Sequence, residues 1–256
     1  MSQRSYYKRL FLQYCAFALT LCVSLSTGLA EGVYDYLSEE ELYGDFEEEL
    51  TVVRDPLESV NRLTFKFNDF IYMNVVKHVA EGYQKVTPDA VERGASNFFK
   101  NLGYPVRLMG NLLQGRMKGG WLETERFVVN TTLGVVGVFP AANRFERLQP
   151  LKSEDIGQAL GAWGIGEGPY LVLPLLGPSN VRDLFGLVGD RAVNPLKEPY
   201  SVIGDSRVRT AYSVTNFVVK SPTLMRTYSQ MKDGAVDPYS SMKNGYSQMR
   251  RGMIEE

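Results

Sequence analysis

Histidine and cysteine are both scarce in this sequence. The 256 residues contain one histidine, His78, and two cysteines, Cys15 and Cys22. Both cysteines lie in the first 30 residues, which have the pattern of a cleaved leader, so the mature chain would have neither a disulfide nor a cysteine metal ligand. A serine hydrolase would need His78 as its base, and no Gly-x-Ser-x-Gly sequence is there to pair with it. We therefore expect no enzymatic activity, no metal site and no cofactor.

Two carboxylate pairs could be mistaken for a metal or acid-base site. Glu123 lies two residues from Glu125, and Glu154 is adjacent to Asp155. Neither pair has a histidine or cysteine nearby in the sequence, and a zinc site normally includes such a ligand. We predict that these acids are solvated on helix surfaces.

Long apolar runs are also missing. No uninterrupted run reaches the roughly 18 residues that indicate a membrane-spanning helix. The apolar segment at 10–23 follows three basic residues among the first nine and precedes Ser-Thr-Gly-Leu-Ala, an order typical of a secretory signal. We expect residues 1–30 to be a signal peptide and Glu31 to be the mature N-terminus.

Lipidation of Cys22 is the alternative way to process this leader. Lipoprotein signals have Gly, Ala or Ser immediately before the modified cysteine, and here that residue is Leu21. We expect cleavage before Glu31 and a protein that holds the membrane by its own surface.

Charge divides the rest of the chain into two parts. Residues 31–53 contain nine acidic residues and no lysine or arginine, which predicts a disordered, solvated arm. Residues 54–256 have 25 basic and 20 acidic residues, a net charge of +5. This excess suits anionic lipid headgroups and is too small to indicate nucleic acid. We place one helical domain at 54–251 and a short tail at 252–256.

Helix signals follow one another after the acidic arm, with no strand-like alternation, and predict an all-α domain of amphipathic helices. Helix starts are predicted at Asp55-Pro56, Thr87-Pro88, Ser153, Ser179, Pro222 and Asp237-Pro238. The last helix carries a stripe of Tyr239, Met242, Tyr246, Met249 and Met253. Such a stripe is more often helix packing than a lipid groove, so we predict that it is core.

The stretch at 161–183 interrupts this helical pattern. It holds five of the 24 glycines and three of the 12 prolines, which predicts a re-entrant hairpin rather than a helix or an ordinary strand. The residues between them are apolar, so the hairpin is buried either in the protein core or at a lipid boundary. The Gly164, Gly166 and Gly168 spacing is not a nucleotide fingerprint, because Pro169 follows where a helix would have to open.

This stretch has the spacing G-x-G-x-G-P-Y-x-x-L-P-x-x-G-P-x-x-x-R-D, which resembles the MlaA/VacJ family of Gram-negative outer-membrane proteins. The resemblance extends to DPLESVNRLTFKFN at 55–68, NFFKNL at 97–102, RFVVNTTLG at 126–134 and DPY at 237–239. It implies a helical ring around an amphipathic channel, seated in the outer membrane beside a porin trimer. It also implies that phospholipids misplaced in the outer leaflet pass to a periplasmic carrier, which maintains lipid asymmetry. The alternative is a periplasmic structural or adaptor protein that binds porins without a lipid channel.

Three groups of residues are candidates for this function. Short apolar segments broken by glycine or proline suit insertion into one leaflet. The predicted membrane-facing or lipid-path residues are Phe65, Phe67, Phe70, Val135, Val136, Val138 and Phe139. The predicted hinge of the hairpin comprises Gly164, Gly166 and Gly168, and its predicted supports are Pro169, Tyr170, Pro174, Arg182 and Asp183, with Arg182 and Asp183 expected to form an internal ion pair.

Overall fold

The computed structural model describes residues 53–255. Its α-helices are α1 Glu58–Ile71, α2 Lys77–Val86, α3 Asp89–Leu102, α4 Tyr104–Leu113, α5 Met117–Thr132, α6 Ile156–Ala162, α7 Val181–Val193, α8 Ser206–Lys232 and α9 Pro238–Glu255. A π-helical turn, Tyr72–Val76, joins α1 to α2, and 3-10 helices at Ala141–Arg144 and Glu146–Leu148 follow α5. The predicted all-α class is confirmed. The predicted signal peptide, the Cys22 alternative and the acidic arm as far as residue 52 lie outside the described residues.

The predicted hairpin is a pair of short antiparallel strands, β1 Tyr170–Leu173 and β2 Gly177–Asn180. Tyr170 pairs with Asn180 at the open end, and Leu173 pairs with Gly177 next to the turn. Our expectation that no ordinary strand would form here was wrong. Prolines 169 and 174 flank β1 and so cost it no ladder donor, since a proline is tolerated at the ends of strands.

Helix α8 runs through Pro222, where we predicted that a new helix would begin. A proline cannot donate to the carbonyl four residues earlier, which here belongs to Val218. The Ser221 hydroxyl donates to this carbonyl at 2.8 Å. The side chain replaces the missing backbone bond, and the helix continues.

Two helix starts differ from the predicted caps. Asp155, rather than Ser153, caps α6, and its Oδ1 accepts the backbone N–H three residues on at 2.6 Å. Asn180, rather than Ser179, caps α7 through an equivalent bond of 2.7 Å. Ser179 is buried within β2, so its hydroxyl is not at the helix end.

The start of α1 also differs, since the helix begins at Glu58 with no side chain capping it. The Asp55 carboxylate lies instead between α1 and α9. It accepts a hydrogen bond from Asn61 Nδ2 at 2.8 Å and another from the Tyr239 hydroxyl. Lys243 pairs with the same carboxylate at 3.3 Å. The predicted cap therefore ties the first helix to the last.

Helix α9 lies in the centre of the apolar core. The predicted Tyr/Met stripe is buried there, which confirms that it is helix packing. One cluster packs α9 against the hairpin and comprises Val53, Tyr170, Val172, Tyr239, Tyr246, Met249 and Met253. The other packs it against the first helices and α8, and comprises Tyr72, Val76, Ala80, Leu224, Met225, Tyr228 and Met242. Met253 is in this core and α9 continues to Glu255, so residues 252–255 of the predicted tail are part of the last helix.

Candidate functional site

Helix α1 has its apolar and polar faces reversed relative to an ordinary surface helix. Val60, Leu63 and Phe70 are more than half exposed, at 60%, 70% and 60%. Asn61 and Asn68, on the opposite face, are each only 2% exposed. A helix of a water-soluble domain buries its apolar stripe, so an outward stripe of this kind indicates an apolar partner or a membrane.

The two buried asparagines, which we call the amide pair, bind the hairpin. Asn61 donates to the Tyr170 carbonyl at 3.0 Å and accepts from Val172 N–H at 2.9 Å. Asn68 donates to the Leu173 carbonyl at 2.8 Å and accepts from Leu175 N–H at 2.7 Å. Asn61 thus pairs with the edge of β1 as a neighbouring strand would, and Asn68 makes the same two bonds where β1 ends and the turn begins.

The spacing of the amide pair matches the strand. Seven residues of helix rise about 10.5 Å, and three residues of strand rise about 10 Å. Asn61 and Asn68 are seven residues apart on α1, and their contact points on β1 are three residues apart. Helix and strand therefore stay in register over both contacts.

The hairpin turn depends on the same helix. Leu175 has a φ of 66°, in the left-handed region that a branched side chain rarely adopts. Its N–H is held by Asn68, and its carbonyl accepts the Tyr72 hydroxyl at 2.7 Å. Contacts from α1 and the π turn hold both polar groups of this residue in place.

A network of buried charged side chains lies at the other end of the hairpin, where β2 leads into α7. Arg250 of α9 lies between two carboxylates, with Nη1 2.6 Å from Asp155 Oδ2 and Nε 2.9 Å from Asp183 Oδ2. Arg182 Nε donates to Asp183 Oδ1 at 2.9 Å, which confirms the predicted internal ion pair. The Tyr246 hydroxyl completes the group by donating to Asp183 Oδ2 at 2.7 Å. All five side chains are buried, so this network ties α9 to the cap of α6 and to the first turn of α7, which directly follows β2.

Electrostatics favour the ionised form of this network. Burial alone would raise the pKa of Asp183, but the charges and hydrogen bonds of Arg250 and Arg182 bring its pKa below the ordinary value. Burial and the Asp183 charge raise the pKa of Tyr246 well above its ordinary value, so its hydroxyl remains a donor. The network is held by charge at neutral pH.

Three acids that we expected on solvated surfaces are buried instead. Asp155 belongs to the network above. Glu123 binds Arg107 Nε at 2.9 Å, and Glu154 pairs with Arg116. The arginines lie on other segments of the chain, so spacing along the sequence could not reveal them. Among residues 53–255, no three His, Cys, Asp or Glu side chains are grouped so as to hold a metal ion.

The predicted hinge glycines have different conformations. Gly164 and Gly168 have positive φ values of 83° and 67°. Gly166 does not, and a Cβ there or at Gly164 would meet no atom within 4 Å. Only Gly164 and Gly168 therefore require glycine, and the backbone around Gly164 is open to solvent.

The predicted membrane-facing residues separate into two sets. Phe67, Phe70, Val135, Val136 and Phe139 are exposed, and Val138 is half-buried. Phe65 is also partly buried and packs edge-on against Tyr239, with ring centroids 5.8 Å apart, so it belongs to the inner face of α1. Whether the exposed set contacts lipid stays a prediction.

The segment after α5 presents its valines from a strained backbone. Val135 and Val136 have φ values of 53° and 58°, which are outliers for β-branched residues. Backbone bonds from Val136 N to Thr131 O at 2.9 Å and from Phe139 N to Gly134 O at 2.8 Å close the turn. Backbone strain of this kind persists where the surroundings enforce it and is concentrated at functional sites.

Sequence reasoning missed the amide pair and Arg250. The available signal for the amide pair was two asparagines seven residues apart, on the face opposite the apolar stripe of α1. For Arg250, the signal was an arginine within the buried Tyr/Met face of α9, since an arginine there requires buried carboxylates.

Comparison with known proteins gives relatives of two kinds. An uncharacterised protein of Rickettsia bellii is 29% identical over 232 residues, which cover 88% of this chain and 84% of the relative. The "Intermembrane phospholipid transport system lipoprotein MlaA" of Haemophilus influenzae is 28% identical over 195 residues, covering 76% of each chain. The protein of the same name in Escherichia coli K12 is 35% identical over 138 residues, covering 53% of this chain and 55% of the relative.

A solved structure and a family profile agree with these relatives. A chain reported under "Structural basis for maintenance of bacterial outer membrane lipid asymmetry" has a TM-score of 0.64 at 26% identity, covering 78% of this chain and 98% of that one. The profile described as "MlaA lipoprotein" matches residues 53–253, which is nearly the whole of the described structure. The chain therefore belongs to the MlaA lipoprotein family.

Proposed function

We propose that this protein is a non-enzymatic phospholipid conduit of the outer membrane. It removes phospholipids misplaced in the outer leaflet and hands them to a periplasmic carrier, which maintains lipid asymmetry. The names of the H. influenzae and E. coli relatives support phospholipid transport. The single observation in this chain that carries the proposal is the reversed polarity of helix α1, whose apolar stripe is exposed and whose two asparagines are buried.

Exposed apolar side chains are expected in a protein domain that is partly embedded in a membrane. The apolar stripe of α1 and the valines after α5 are exposed, whereas the amide pair and the Arg250 network are buried. Between residues 53 and 255, no helix combines the length and apolar character needed to cross a membrane. Short exposed apolar segments can enter one leaflet without crossing the bilayer.

The proposal includes two protein partners and a location. A porin trimer would hold the ring in the outer membrane, and a soluble carrier would receive the lipid on the periplasmic side. The exported leader predicted at 1–30 is consistent with this location. The net charge of +5 over residues 54–256 favours contact with anionic headgroups over nucleic acid.

We further propose that bound phospholipid is not hydrolysed. His78, the one histidine, is 70% exposed at its side chain and lies 3.8 Å from Glu81 on α2. It stands on the outer surface, apart from the hairpin and its supports.

The test uses a Gram-negative strain whose own family member has been deleted. The full-length chain should lower outer-leaflet phospholipid and restore detergent resistance, and the purified protein should bind labelled phosphatidylethanolamine without releasing fatty acid or headgroup. An adaptor would bind the porin, yet neither bind lipid nor lower outer-leaflet phospholipid. Hydrolysis that is absent from a His78→Ala variant would show that the protein is an enzyme.

A further inference from the structure

The chain leaves α5 through an uncharged stretch. Residues 127–143 contain no Asp, Glu, Lys or Arg, and Arg126 and Arg144 bound them on either side. Within this stretch we call residues 133–139 the apolar loop. Its exposed side chains are all apolar and are those of Leu133, Val135, Val136 and Phe139. A loop that presents four apolar side chains and no charge suits the acyl region of a lipid leaflet.

The backbone of the apolar loop needs support to keep its shape. Val135, Val136 and Gly137 have successive positive φ values of 53°, 58° and 91°. The left-handed region is unfavourable for valine, and such strain persists only where the surroundings enforce it. Helix α5 contributes part of this support, since Gly137 N–H donates to the Asn130 carbonyl at 2.8 Å.

Helix α3 contributes the rest through one of its faces. Gly94, Asn97 and Asn101 are spaced three and four residues apart, so they lie along the same side of the helix. Asn97 Nδ2 donates to the Val138 carbonyl at 3.2 Å. The Val138 side chain packs on Gly94, where an added Cβ would lie only 3.0 Å from Val138 Cγ1. The apolar loop therefore lies directly against α3.

Asn101 holds the loop at its most strained point. Its side chain is buried, and its Nδ2 donates to the Thr131 hydroxyl at 3.0 Å, near the end of α5. Gly137 packs against the same side chain, and a Cβ at Gly137 would lie 2.5 Å from Asn101 Cβ. Asn101 thus fixes the residue that directly follows the two strained valines.

We propose that Asn97 and Asn101 are positioning residues for membrane insertion of the apolar loop. They hold its backbone in the strained form, so the four exposed apolar side chains are already arranged when they meet lipid. Ordering a segment before it binds reduces the conformational freedom lost on binding and so strengthens binding. Both asparagines act through the loop rather than on lipid. The proposal rests on the membrane contact proposed above for the valines after α5, and it names the polar residues on which that contact depends.

The test measures how the full-length protein partitions onto vesicles of phosphatidylethanolamine and phosphatidylglycerol, by flotation. Hydrogen exchange at residues 134–139 reports the order of the loop, and the thermal midpoint reports global stability. The positioning variants are Asn97→Ala and Asn97→Ala/Asn101→Ala. The single variant keeps the buried Asn101, so it serves if the double variant does not fold.

Two further variants complete the experiment. Ser221→Ala is the control for stability, because it also removes a side-chain donor from a backbone carbonyl, that of Val218 on α8. Phe139→Ser removes one exposed ring from the loop and tests the contact with lipid itself.

We expect faster hydrogen exchange at residues 134–139 in both positioning variants. The partition coefficient of the double variant should fall roughly fivefold, since a loop that must be ordered on insertion binds more weakly. Ser221→Ala should lower the thermal midpoint and partition like wild type, and Phe139→Ser should partition more weakly than wild type.

Three results would contradict these expectations. Wild-type partition by the positioning variants, despite faster exchange, would overturn the roles of Asn97 and Asn101 and leave lipid contact by the loop intact. Equally weakened partition of Ser221→Ala would assign the effect to lost stability and overturn the same roles. Wild-type partition of Phe139→Ser would instead overturn the lipid contact of the loop, on which the proposal rests.

Discussion

Asn68 Oδ1 accepts the backbone N–H of Leu175 at 2.7 Å, at a residue whose φ is 66°. The left-handed conformation of a leucine is unfavourable by about 1–2 kcal/mol, so the turn needs contacts that enforce it. Asn68 and Tyr72 supply two of them from outside the hairpin. The shape of the hairpin tip is therefore set by α1 as well as by its own glycines and prolines.

Replacing Asn68 with alanine should loosen the hairpin tip. The N–H of Leu175 would lose its partner, and an unsatisfied buried group costs about 1–3 kcal/mol. The carbonyl of Leu173 would lose the Asn68 bond and keep the one from the Leu176 N–H at 3.2 Å. We expect faster hydrogen exchange at residues 173–177 and a lower thermal midpoint. Asn74→Ala is the matched control, because Asn74 is on the exposed side of the π turn and bonds only the Phe70 carbonyl in the same helix. Equal effects of both variants would contradict the role of the amide pair.

The sequence predicted where the elements of this fold lie better than it predicted which face of each element is buried. Glycine and proline spacing located the hairpin, and the Tyr/Met periodicity identified the core face of α9. The apolar stripe of α1 was also visible, but periodicity reports that a helix has two faces and does not report which of them is buried. In α1 the polar face is buried, because its asparagines replace a strand partner.

Contacts distant in sequence account for the other differences. Asp55 is a suitable helix cap by local pattern, yet it binds Tyr239 and Lys243 of α9. Pro222 is a helix start by local pattern, but Ser221 satisfies the carbonyl that the proline leaves without a donor. Local propensity is a weak prior when tertiary partners of this kind are present.

Neutralising Asp183 should destabilise the fold strongly. Asp183→Asn keeps the shape but leaves Arg250 and Arg182 with less compensating charge, and breaking a buried pair costs about 3–5 kcal/mol. Chemical unfolding at pH 7 should show this loss. Asp237→Asn is the control, since Asp237 pairs with Arg62 at an exposed site where solvent screens the interaction. A comparable loss in both variants would contradict the special role of the buried network.

The same network predicts a pH dependence. The pKa of Asp183 is lower in the folded protein than its ordinary value, so the folded state favours the ionised carboxylate. Its contribution to the free energy of unfolding is present at neutral pH and is lost as pH falls below about 4. The stability difference between wild type and Asp183→Asn should therefore shrink in acid. A difference that stays constant from pH 7 to pH 3 would show that charge is not the cause.

Asparagine at Val135 and Val136 should change stability and membrane association in opposite directions. Asparagine tolerates positive φ, so the double variant should relieve about 1–3 kcal/mol of backbone strain at each residue and raise the thermal midpoint. It also removes two exposed apolar side chains, which should weaken vesicle flotation. Val128→Asn is the control, because Val128 is exposed on regular helix α5 and carries no such strain. Stronger or unchanged flotation of the double variant would contradict a membrane-facing role for this segment.

Alanine at Gly164 should impair transport if the hairpin moves about this residue. Hinges are the few positions that absorb large changes in φ and ψ, and Gly164 has a φ of 83° in open surroundings. An added Cβ meets no atom there, so the substitution costs about 1–2 kcal/mol through backbone conformation alone, too little to unfold the domain. We expect wild-type abundance and location together with increased outer-leaflet phospholipid and sensitivity to detergent.

Gly166→Ala is the matched control for that experiment, since Gly166 is two residues away, is equally open and has no positive φ. It should behave as wild type in all four measurements. A rigid segment that only supports packing would give either degradation of the Gly164→Ala protein or full resistance to detergent. Because a Cβ at Gly164 has no packing contact to disturb, degradation would point to the backbone conformation itself as a requirement for folding. Full detergent resistance of Gly164→Ala at wild-type abundance would contradict the hinge proposal. The phospholipid-conduit proposal would then still depend on the lipid-binding test.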